Sequence, residues 1–218
     1  MTHSHIIFDL DGTLIDSAPS ILGAFKLVLE QFSYAPTRPL NSALIGPPLK
    51  QTLQLISGES DSEKMALLVE AFKSNYDSNA YTLSSSYTGI SEMLESLFRS
   101  DNCLHIATNK RLIPTQKILK YFAWEKYFQS VYAIDKLEPP FSSKAKMIQV
   151  MLSDLGLNSK NCIYVGDRPE DGDAASENEM PFIYVEWGYG PDLSKIKSQW
   201  SVKNPNDLLT LLCNFNVN

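Results

Sequence analysis

Residues 6–14 of the chain read IIFDLDGTL, an apolar run that ends in two carboxylates and a glycine. The apolar run from Ile6 to Phe8 predicts a short buried strand. Asp9 and Asp11 lie one residue apart, so on a strand their side chains point to the same side. Two carboxylates in that arrangement repel each other unless a cation lies between them. An ordinary strand followed by an Asp-Gly turn is the alternative, but the whole run favours an acidic site at the end of a strand.

The bulk composition is that of an ordinary globular protein. The chain has 218 residues, of which 44% are hydrophobic, enough for one large domain or for a core with a small second domain. The formal net charge is −6 and there is no run rich in Lys or Arg, which argues against a nucleic-acid partner. An anionic substrate is still compatible with this charge if a metal ion and one lysine neutralise its site.

The N-terminal residues and the cysteines both favour a cytoplasmic protein. The first five residues contain no basic segment, and no apolar stretch is long enough for a membrane span, so neither a signal peptide nor a membrane contact is expected. Cys103, Cys162 and Cys213 are widely spaced in apolar surroundings, which predicts buried free thiols. We expect His5 to lie in a solvated N-terminal extension and His105 to be a core or interface histidine.

The segment from about Ser17 to Leu83 is predicted to be entirely helical. Apolar residues recur with a helical period after Ser17, and Pro19 lies in the first turn, where its missing N–H costs nothing. Two further amphipathic stretches are expected around Leu49–Ile56 and Ser62–Tyr76, the second led by Asp61 or Ser62 as its cap. The three serines at positions 84–86 are interpreted as a linker.

From Gly89 onward, the predicted strands and helices alternate. Helices are expected at Ile90–Phe98, around Pro114, near Ala145–Leu155 and at Ala174–Glu179, and strands at Cys103–Ala107, near Ser130–Ile134, at Cys162–Val165 and at Phe182–Val185. This alternation argues for an α/β fold with a parallel sheet covered by helices on both faces. The simplest arrangement places the first strand, which begins at Ile6, in the same sheet. The helical segment is then an insertion between the first and second strands of one core.

Polar residues follow three of the predicted strands, at Asp9 and Asp11, at Thr108-Asn109 and at Asp167. Open α/β sheets bind ligands at the carboxyl ends of their strands. The last of these residues lies in VGDRPEDGD, residues 165–173, which is densely acidic. Carboxylates from two strand ends suit a hard cation such as Mg²⁺, which prefers oxygen ligands. The alternative for the acidic stretch is a loop of solvated acids.

Lys144 lies in SSKAK, residues 142–146, in the first turn of a predicted helix that is capped by serine. The helix dipole disfavours a cation at that position by about 0.3–1 kcal/mol. A lysine placed against this preference suggests a partner such as a carboxylate or a phosphate. Lys146 is a nearby competitor, and Lys144 is preferred because it lies closer to the strand ends.

Together these motifs resemble those of the haloacid dehalogenase superfamily. The run DLDGTL at residues 9–14 resembles the first motif, Thr108 the second, Lys144 the third and GDRPED at residues 166–171 the fourth, GDxxxD. They occur in the family's order and at its usual intervals, so the resemblance covers the whole chain. The runs IGPPL at residues 45–49 and WGYG at residues 187–190 are similar to the phosphoglycolate-phosphatase-like branch. The resemblance implies a Rossmann-like core, residues 1–16 and 84–218, with a small α-helical cap domain inserted at residues 17–83.

The resemblance also implies a Mg²⁺-dependent phosphatase that works through an aspartyl-phosphate. Asp9 would attack the phosphoryl group, and Asp11 would protonate the leaving oxygen and later deprotonate the attacking water. The metal would be held by the Asp9 side chain, the Asp11 backbone carbonyl and Asp167. Asp171 would hold metal-bound waters or Lys144.

The same resemblance implies the residues that bind the substrate. Thr108 and the amide that follows it, at Asn109, would bind the phosphoryl oxygens, and Lys144 would neutralise charge on the nucleophile and the phosphate. The cap would close over the substrate, and its loop, with Gly46 and Leu49, would select the leaving group. The expected partner is a small phosphorylated metabolite such as phosphoglycolate or a sugar phosphate.

Three alternatives stay open at the level of the sequence. Asp11 favours phosphate chemistry over dehalogenation, because a halide leaving group needs no proton, but a phosphomutase would carry the same two acids and a cap. A signalling module phosphorylated on aspartate also uses acids, a Thr and a Lys, although its acceptor follows its metal-binding acids and it needs no helical insertion. An inactive family member is disfavoured because no motif residue is missing. The physiological substrate and the oligomeric state stay open.

Overall fold

A six-stranded parallel sheet forms the centre of the computed structural model, which describes residues 5–100, 102–191, 196 and 198–214. The strand order is β5-β4-β1-β6-β7-β8, so the N-terminal strand lies in the interior of the sheet. The strands are β1 (His5–Phe8), β2 (Ile15–Asp16), β3 (Ser85–Ser86), β4 (Cys103–Thr108), β5 (Phe128–Ala133), β6 (Cys162–Gly166), β7 (Phe182–Val185) and β8 (Trp200–Val202). The helices are α1 (Ala18–Gln31), α2 (Leu49–Ser57), α3 (Ser62–Ser78), α4 (Ile90–Arg99), α5 (Leu112–Tyr121), α6 (Lys144–Leu155), α7 (Pro169–Glu177) and α8 (Pro205–Cys213).

Helices cover both faces of this sheet. Alternate residues of β1 point to opposite faces: Ile6 and Phe8 join an apolar cluster with α4, α5 and α8, whereas Ile7 joins a second cluster with α6 and α7. Strands that are buried on both faces read as near-continuous apolar runs, as in β7, where all four residues are buried. The expected α/β fold, a Rossmann-like parallel sheet, is confirmed. Among the described residues, no helix has the length and apolar character needed to cross a bilayer.

The helices α1, α2 and α3 form a third apolar cluster of their own, which includes Phe25, Leu53 and Phe72. The chain enters this segment through β2 and leaves it through β3, and the two short strands pair antiparallel as a ribbon. The two points at which the chain passes between the sheet and this segment therefore lie side by side, a few residues after the carboxyl end of β1. We call residues 17–83 the cap; their division from the core as a separate domain at these boundaries stays a prediction.

Most of the expected elements are confirmed within a few residues, and four expectations were wrong. Ser85 and Ser86 form β3 and are not a loose linker. Helix α7 begins at Pro169, five residues before the expected Ala174, because the Asp171 carboxylate accepts the backbone N–H of Arg168 and caps the helix there. His5 belongs to β1. The three cysteines are free and Cys162 is buried, as predicted, but Cys103 is half-buried and Cys213 is exposed. The strand β8 and the helix α8 had not been anticipated.

Candidate active site

Asp9 and Asp11 follow β1 at the carboxyl edge of the sheet, as expected from the sequence. Asp9 is buried, and its backbone N–H donates to the carbonyl of Val165 in β6, so the chain continues the sheet beyond the strand. Gly12 then adopts a φ of +86°, and a Cβ there would lie 2.3 Å from the Asp167 carboxylate. Glycine at position 12 therefore permits both the turn and the close approach of the chain after β1 to Asp167, which follows β6.

Three buried carboxylates, those of Asp9, Asp167 and Asp171, place an oxygen each within 4.8 Å of one another. Burial raises the pKa of Asp9 to about 6, an effect that Lys144 partly offsets and that Asp171 and Asp11 reinforce. Burial, together with the charges of Asp171 and Asp9, also holds the pKa of Asp167 well above its usual range. Both pKa values are raised mainly because the carboxylates are buried away from water, and the neighbouring acids add to this effect.

Lys144 bridges two of these acids. It is the first residue of α6, which Ser143 caps by accepting the backbone N–H of Lys146. The Lys144 ammonium lies 2.5 Å from Asp171 Oδ1 and 3.2 Å from Asp9 Oδ1. Burial alone would lower the pKa of Lys144, but the two carboxylates outweigh that effect and hold it well above its usual range. Lys144 is therefore a buried cation at the acidic cluster, and Lys146 bonds Gln149 elsewhere on the helix.

The cluster fits a divalent cation that prefers oxygen ligands. Asp9 Oδ1 is buried and accepts no hydrogen bond from any described residue, although Lys144 is nearby. A buried carboxylate oxygen that accepts no hydrogen bond, beside a second buried carboxylate, Asp167, is a donor set that suits Mg²⁺. The other two predicted ligands differ in their surroundings: the Asp11 carboxylate is paired with Lys110 at 3.0 Å, and the Asp171 carboxylate bonds Lys144 and the Arg168 amide.

The predicted substrate-binding residues line the same cleft between the core and the cap. Thr108, at the end of β4, is buried and lines a cavity together with Asp9 and Asp11. Gly46 and Leu49 reach this cavity from the cap. The side-chain amide of Asn109 donates to the Gly46 carbonyl at 3.0 Å, so this contact joins the end of β4 to the cap loop. The structure brings all the predicted residues to one edge of the sheet.

Comparison with known families agrees with this geometry. Residues 6–185 match the model of the haloacid dehalogenase-like hydrolases. The chain belongs to this family. The resemblance of its motifs to the family is thereby confirmed.

Relatives of this chain within the family carry different names. A tyrosine-protein kinase, PtkA, of Mycobacterium tuberculosis is 32% identical over 187 residues, which are 85% of this chain and 62% of that protein. The chain thus spans less than two thirds of that relative. A phosphoglycolate phosphatase of Caulobacter vibrioides is 27% identical over 190 residues, or 84% of this chain and 79% of the relative. The crystal structure of a predicted phosphatase from Clostridium acetobutylicum superposes with a TM-score of 0.87 at 26% identity and covers 99% of this chain and 100% of that one.

Lys110 is a site residue that the sequence did not single out. Its buried ammonium lies 3.0 and 3.1 Å from the two carboxylate oxygens of Asp11. It also lies 4.6 Å from the ring centroid of Tyr76, which belongs to the cap helix α3. Burial would lower the pKa of Lys110, but Asp11 and Tyr76 hold it above its usual range. The only signal in the sequence is that Lys110 follows the polar pair Thr108-Asn109.

Tyr189 lies in the WGYG motif, for which the sequence predicted no role at the site, and it connects the acidic cluster to the start of the cap. Its backbone N–H donates to Asp167 Oδ2 at 2.7 Å. Its hydroxyl accepts the backbone N–H groups of Ser17 and Ala18 and donates to Asp16 Oδ1. The flanking glycines allow this approach, since a Cβ at Gly188 would lie 2.3 Å from Asp167 Cβ.

Proposed function

We propose that this member of the family is a Mg²⁺-dependent phosphatase of a small phosphorylated metabolite and that it works through an aspartyl-phosphate on Asp9. The observation that carries the proposal is the buried cluster of Asp9, Asp167 and Asp171, with Lys144 in contact with two of its carboxylates. A buried nucleophile, a buried cation and an oxygen-rich cation site at the same strand edge are what phosphoryl transfer needs.

In the first step, a carboxylate oxygen of Asp9 would attack the phosphorus atom, and the bond from phosphorus to the leaving oxygen would break. Asp11 would give its proton to that oxygen. In the second step, a water molecule would attack the phosphorus, Asp11 would take the water's proton, and the bond to Asp9 would break. Free phosphate and the original carboxylate of Asp9 would result.

The other residues of the cleft would hold charge in place during both steps. Mg²⁺, bound by Asp9 and Asp167, would neutralise negative charge on the nucleophile and the phosphoryl oxygens. Lys144, which also contacts Asp171, would likewise neutralise negative charge on the nucleophile and so keep Asp9 ionised. Thr108 and the backbone N–H of Asn109 would donate hydrogen bonds to the phosphoryl oxygens. Asp171 would act through Lys144 or through metal-bound water.

The cap would exclude water and choose the leaving group. Gly46 and Leu49 line the cavity beside Asp9 and Asp11, where a leaving group would lie. Phosphoglycolate and sugar phosphates are the substrates expected from the sequence resemblance. A cytoplasmic location and the absence of a nucleic-acid partner also stay predictions.

The experiment is an assay of phosphate release from p-nitrophenyl phosphate and from a panel of phosphorylated metabolites, with Mg²⁺ and with excess chelator. Hydrolysis should require the metal and should be abolished in Asp9→Asn, which lacks the nucleophile. The control is Asp173→Asn, which removes an exposed acid from the same helix as Asp171 and should keep wild-type activity. Full turnover in chelator, or near-normal hydrolysis by Asp9→Asn, would contradict the proposal. Transfer of the phosphate to a second hydroxyl of the substrate, without release, would indicate a phosphomutase.

A further inference from the structure

The leaving group must lie beside the residue that protonates it. Two cavities meet at Asp9, and Asp11 lines one of them, which has a volume of about 130 Å³. The second cavity is lined by polar groups that include Lys144, Arg168 and Glu170, and Asp11 is not among its lining residues. The phosphoryl group would therefore lie where the two cavities meet, and the leaving group would extend into the cavity beside Asp11.

The cavity beside Asp11, which we call the leaving-group cavity, has a mostly apolar wall. Its cap side is formed by aliphatic and aromatic side chains: Ile21, Phe25, Leu44, Ile45, Leu49 and Phe72. An apolar cavity of about 150 Å³ in another protein is large enough to bind benzene. The size and the lining of the leaving-group cavity therefore suit a short alkyl group or a single ring.

Both cations at this cavity are already paired with carboxylates. Lys110 contacts both oxygens of Asp11, and it also lies 4.6 Å from the centroid of the Tyr76 ring, which stays its partner when Asp11 carries a proton. Arg111 makes a two-pronged contact with Asp77 of the cap, at 2.8 and 2.6 Å. No other Lys, Arg or His is found among the described residues that line it. A second anionic group, such as the carboxylate of phosphoglycolate or the second phosphate of pyrophosphate, would lose its hydration here without gaining a free cation.

We propose, on the basis of the proposed function, that the substrates are phosphomonoesters whose leaving group is uncharged and apolar, a short alkyl chain or a single ring. Phosphoglycolate and pyrophosphate are poor substrates because their leaving groups carry a charge that the leaving-group cavity does not balance. Substrate choice thus depends on the Arg111–Asp77 pair as much as on the apolar wall.

The test compares isobutyl phosphate with phosphoglycolate, whose leaving groups contain the same number of non-hydrogen atoms. The ratio of their kcat/KM values should favour isobutyl phosphate by roughly tenfold or more, which corresponds to about 1.4 kcal/mol. Where turnover is too slow, the inhibition constants of both esters against p-nitrophenyl phosphate compare how tightly they bind, and isobutyl phosphate should bind more tightly. Equal values, or a preference for phosphoglycolate, would overturn this inference while p-nitrophenyl phosphate is still hydrolysed. Failure to hydrolyse any ester with Mg²⁺ would overturn the proposed function and this inference with it.

Asp77→Asn supplies the second arm of the test. The variant frees the Arg111 guanidinium next to the cavity. The kcat/KM of isobutyl phosphate divided by that of phosphoglycolate should therefore fall by roughly tenfold. The kcat/KM of phosphoglycolate itself should rise in this variant, whereas weaker closure of the cap would lower the kcat/KM values of both esters. The matched control is Glu70→Gln, which removes another acid of α3 from its partner Lys73 at 2.6 Å, outside the leaving-group cavity. An unchanged ratio in Asp77→Asn, or the same shift in Glu70→Gln, would overturn the inference.

Discussion

At the level of single residues, the candidate site depends on how its buried charges are paired. Lys144 is shared between Asp9 and Asp171, and Lys110 is held by both oxygens of Asp11. Removing one member of a buried pair leaves an uncompensated charge, which typically costs about 3–5 kcal/mol. Substitutions here therefore affect both folding and chemistry, and an informative test must separate the two.

Lys110 offers such a test because it contacts the proposed acid and not the nucleophile. In Lys110→Met, Asp11 loses its partner, so proton transfer to the leaving group should suffer. We expect kcat/KM to fall by roughly 10- to 100-fold for an alkyl phosphate, within the range of general acid catalysis, and much less for p-nitrophenyl phosphate, whose leaving group needs little protonation. The control is Lys117→Met, since the Lys117 ammonium bonds the Asp77 carbonyl away from Asp11. An equal loss with both esters would mean that Lys110 is only structural.

His105 predicts a pH dependence of stability that is independent of catalysis. The ring is buried in β4, where Nδ1 lies 2.9 Å from the Ser130 hydroxyl and Nε2 lies 3.0 Å from His5. Burial, and to a smaller extent His5, lowers the pKa of His105 to about 4. In the unfolded chain the imidazole has a pKa of about 6.5, so below that pH the unfolded state takes up a proton that the folded state does not.

The folded state should therefore lose stability as the pH falls from about 6.5 toward 4, by about 2 kcal/mol at pH 5. Denaturant unfolding of the wild type and of His105→Gln, at pH 7.5 and pH 5, measures this contribution. The variant should lose less stability than the wild type between the two pH values. An equal loss in both proteins would show that His105 is not the group responsible.

At the level of secondary-structure elements, the cap joins the core through the ribbon of β2 and β3. Tyr189 connects this ribbon to the acidic cluster by hydrogen bonds. The Tyr189 hydroxyl accepts the N–H groups of Ser17 and Ala18 at 2.6 and 2.9 Å. Its own amide bonds Asp167. The start of α1 and a predicted metal ligand are therefore held by one residue.

Tyr189→Phe removes the hydroxyl and leaves the buried Ser17 amide without its acceptor. The expected cost is about 1–3 kcal/mol of unfolding free energy, with faster hydrogen exchange of the amides at 17 and 18. Hydrogen-exchange mass spectrometry of the peptides that contain α1 and β3 reports the change. Tyr121→Phe, at a tyrosine that is 53% exposed, is the control and should leave exchange unaltered. Unchanged protection in Tyr189→Phe would show that the ribbon is held by other contacts.

The same elements show how far the sequence predicted the structure. Strand ends such as Asp9 and Asp167 could be placed because an apolar run followed by acids is a local pattern. The pairing of Lys110 with Asp11 joins positions 99 residues apart, and no local pattern marks it. The strand β8 was missed because it has three residues, of which only Val202 is buried, so neither an apolar run nor an alternation could be recognised.

At the scale of the whole molecule, the strand order brings together residues that are distant in the chain. Asp9 and Asp167 follow β1 and β6, and Thr108 ends β4; these three strands are neighbours in the sheet. Lys144 begins a helix on one face. The cap covers this edge through the Arg111–Asp77 pair and the bond from Asn109 to Gly46. A net charge of −6 would be compatible with the proposed anionic substrate because Lys144, together with the proposed Mg²⁺, would neutralise charge locally at this edge.

The proposed mechanism predicts a covalent phosphoenzyme on Asp9, which reductive trapping would detect. The Asp11→Asn variant should form the aspartyl-phosphate and hydrolyse it slowly, because the water that attacks it has lost its base. After mixing with p-nitrophenyl phosphate and Mg²⁺, borohydride would reduce the acyl phosphate to homoserine, which peptide mass spectrometry can locate. We predict homoserine at position 9 and at no other aspartate. Homoserine at another position, or phosphate release by the wild type with no trapped residue in either protein, would contradict the assignment of Asp9 as the nucleophile.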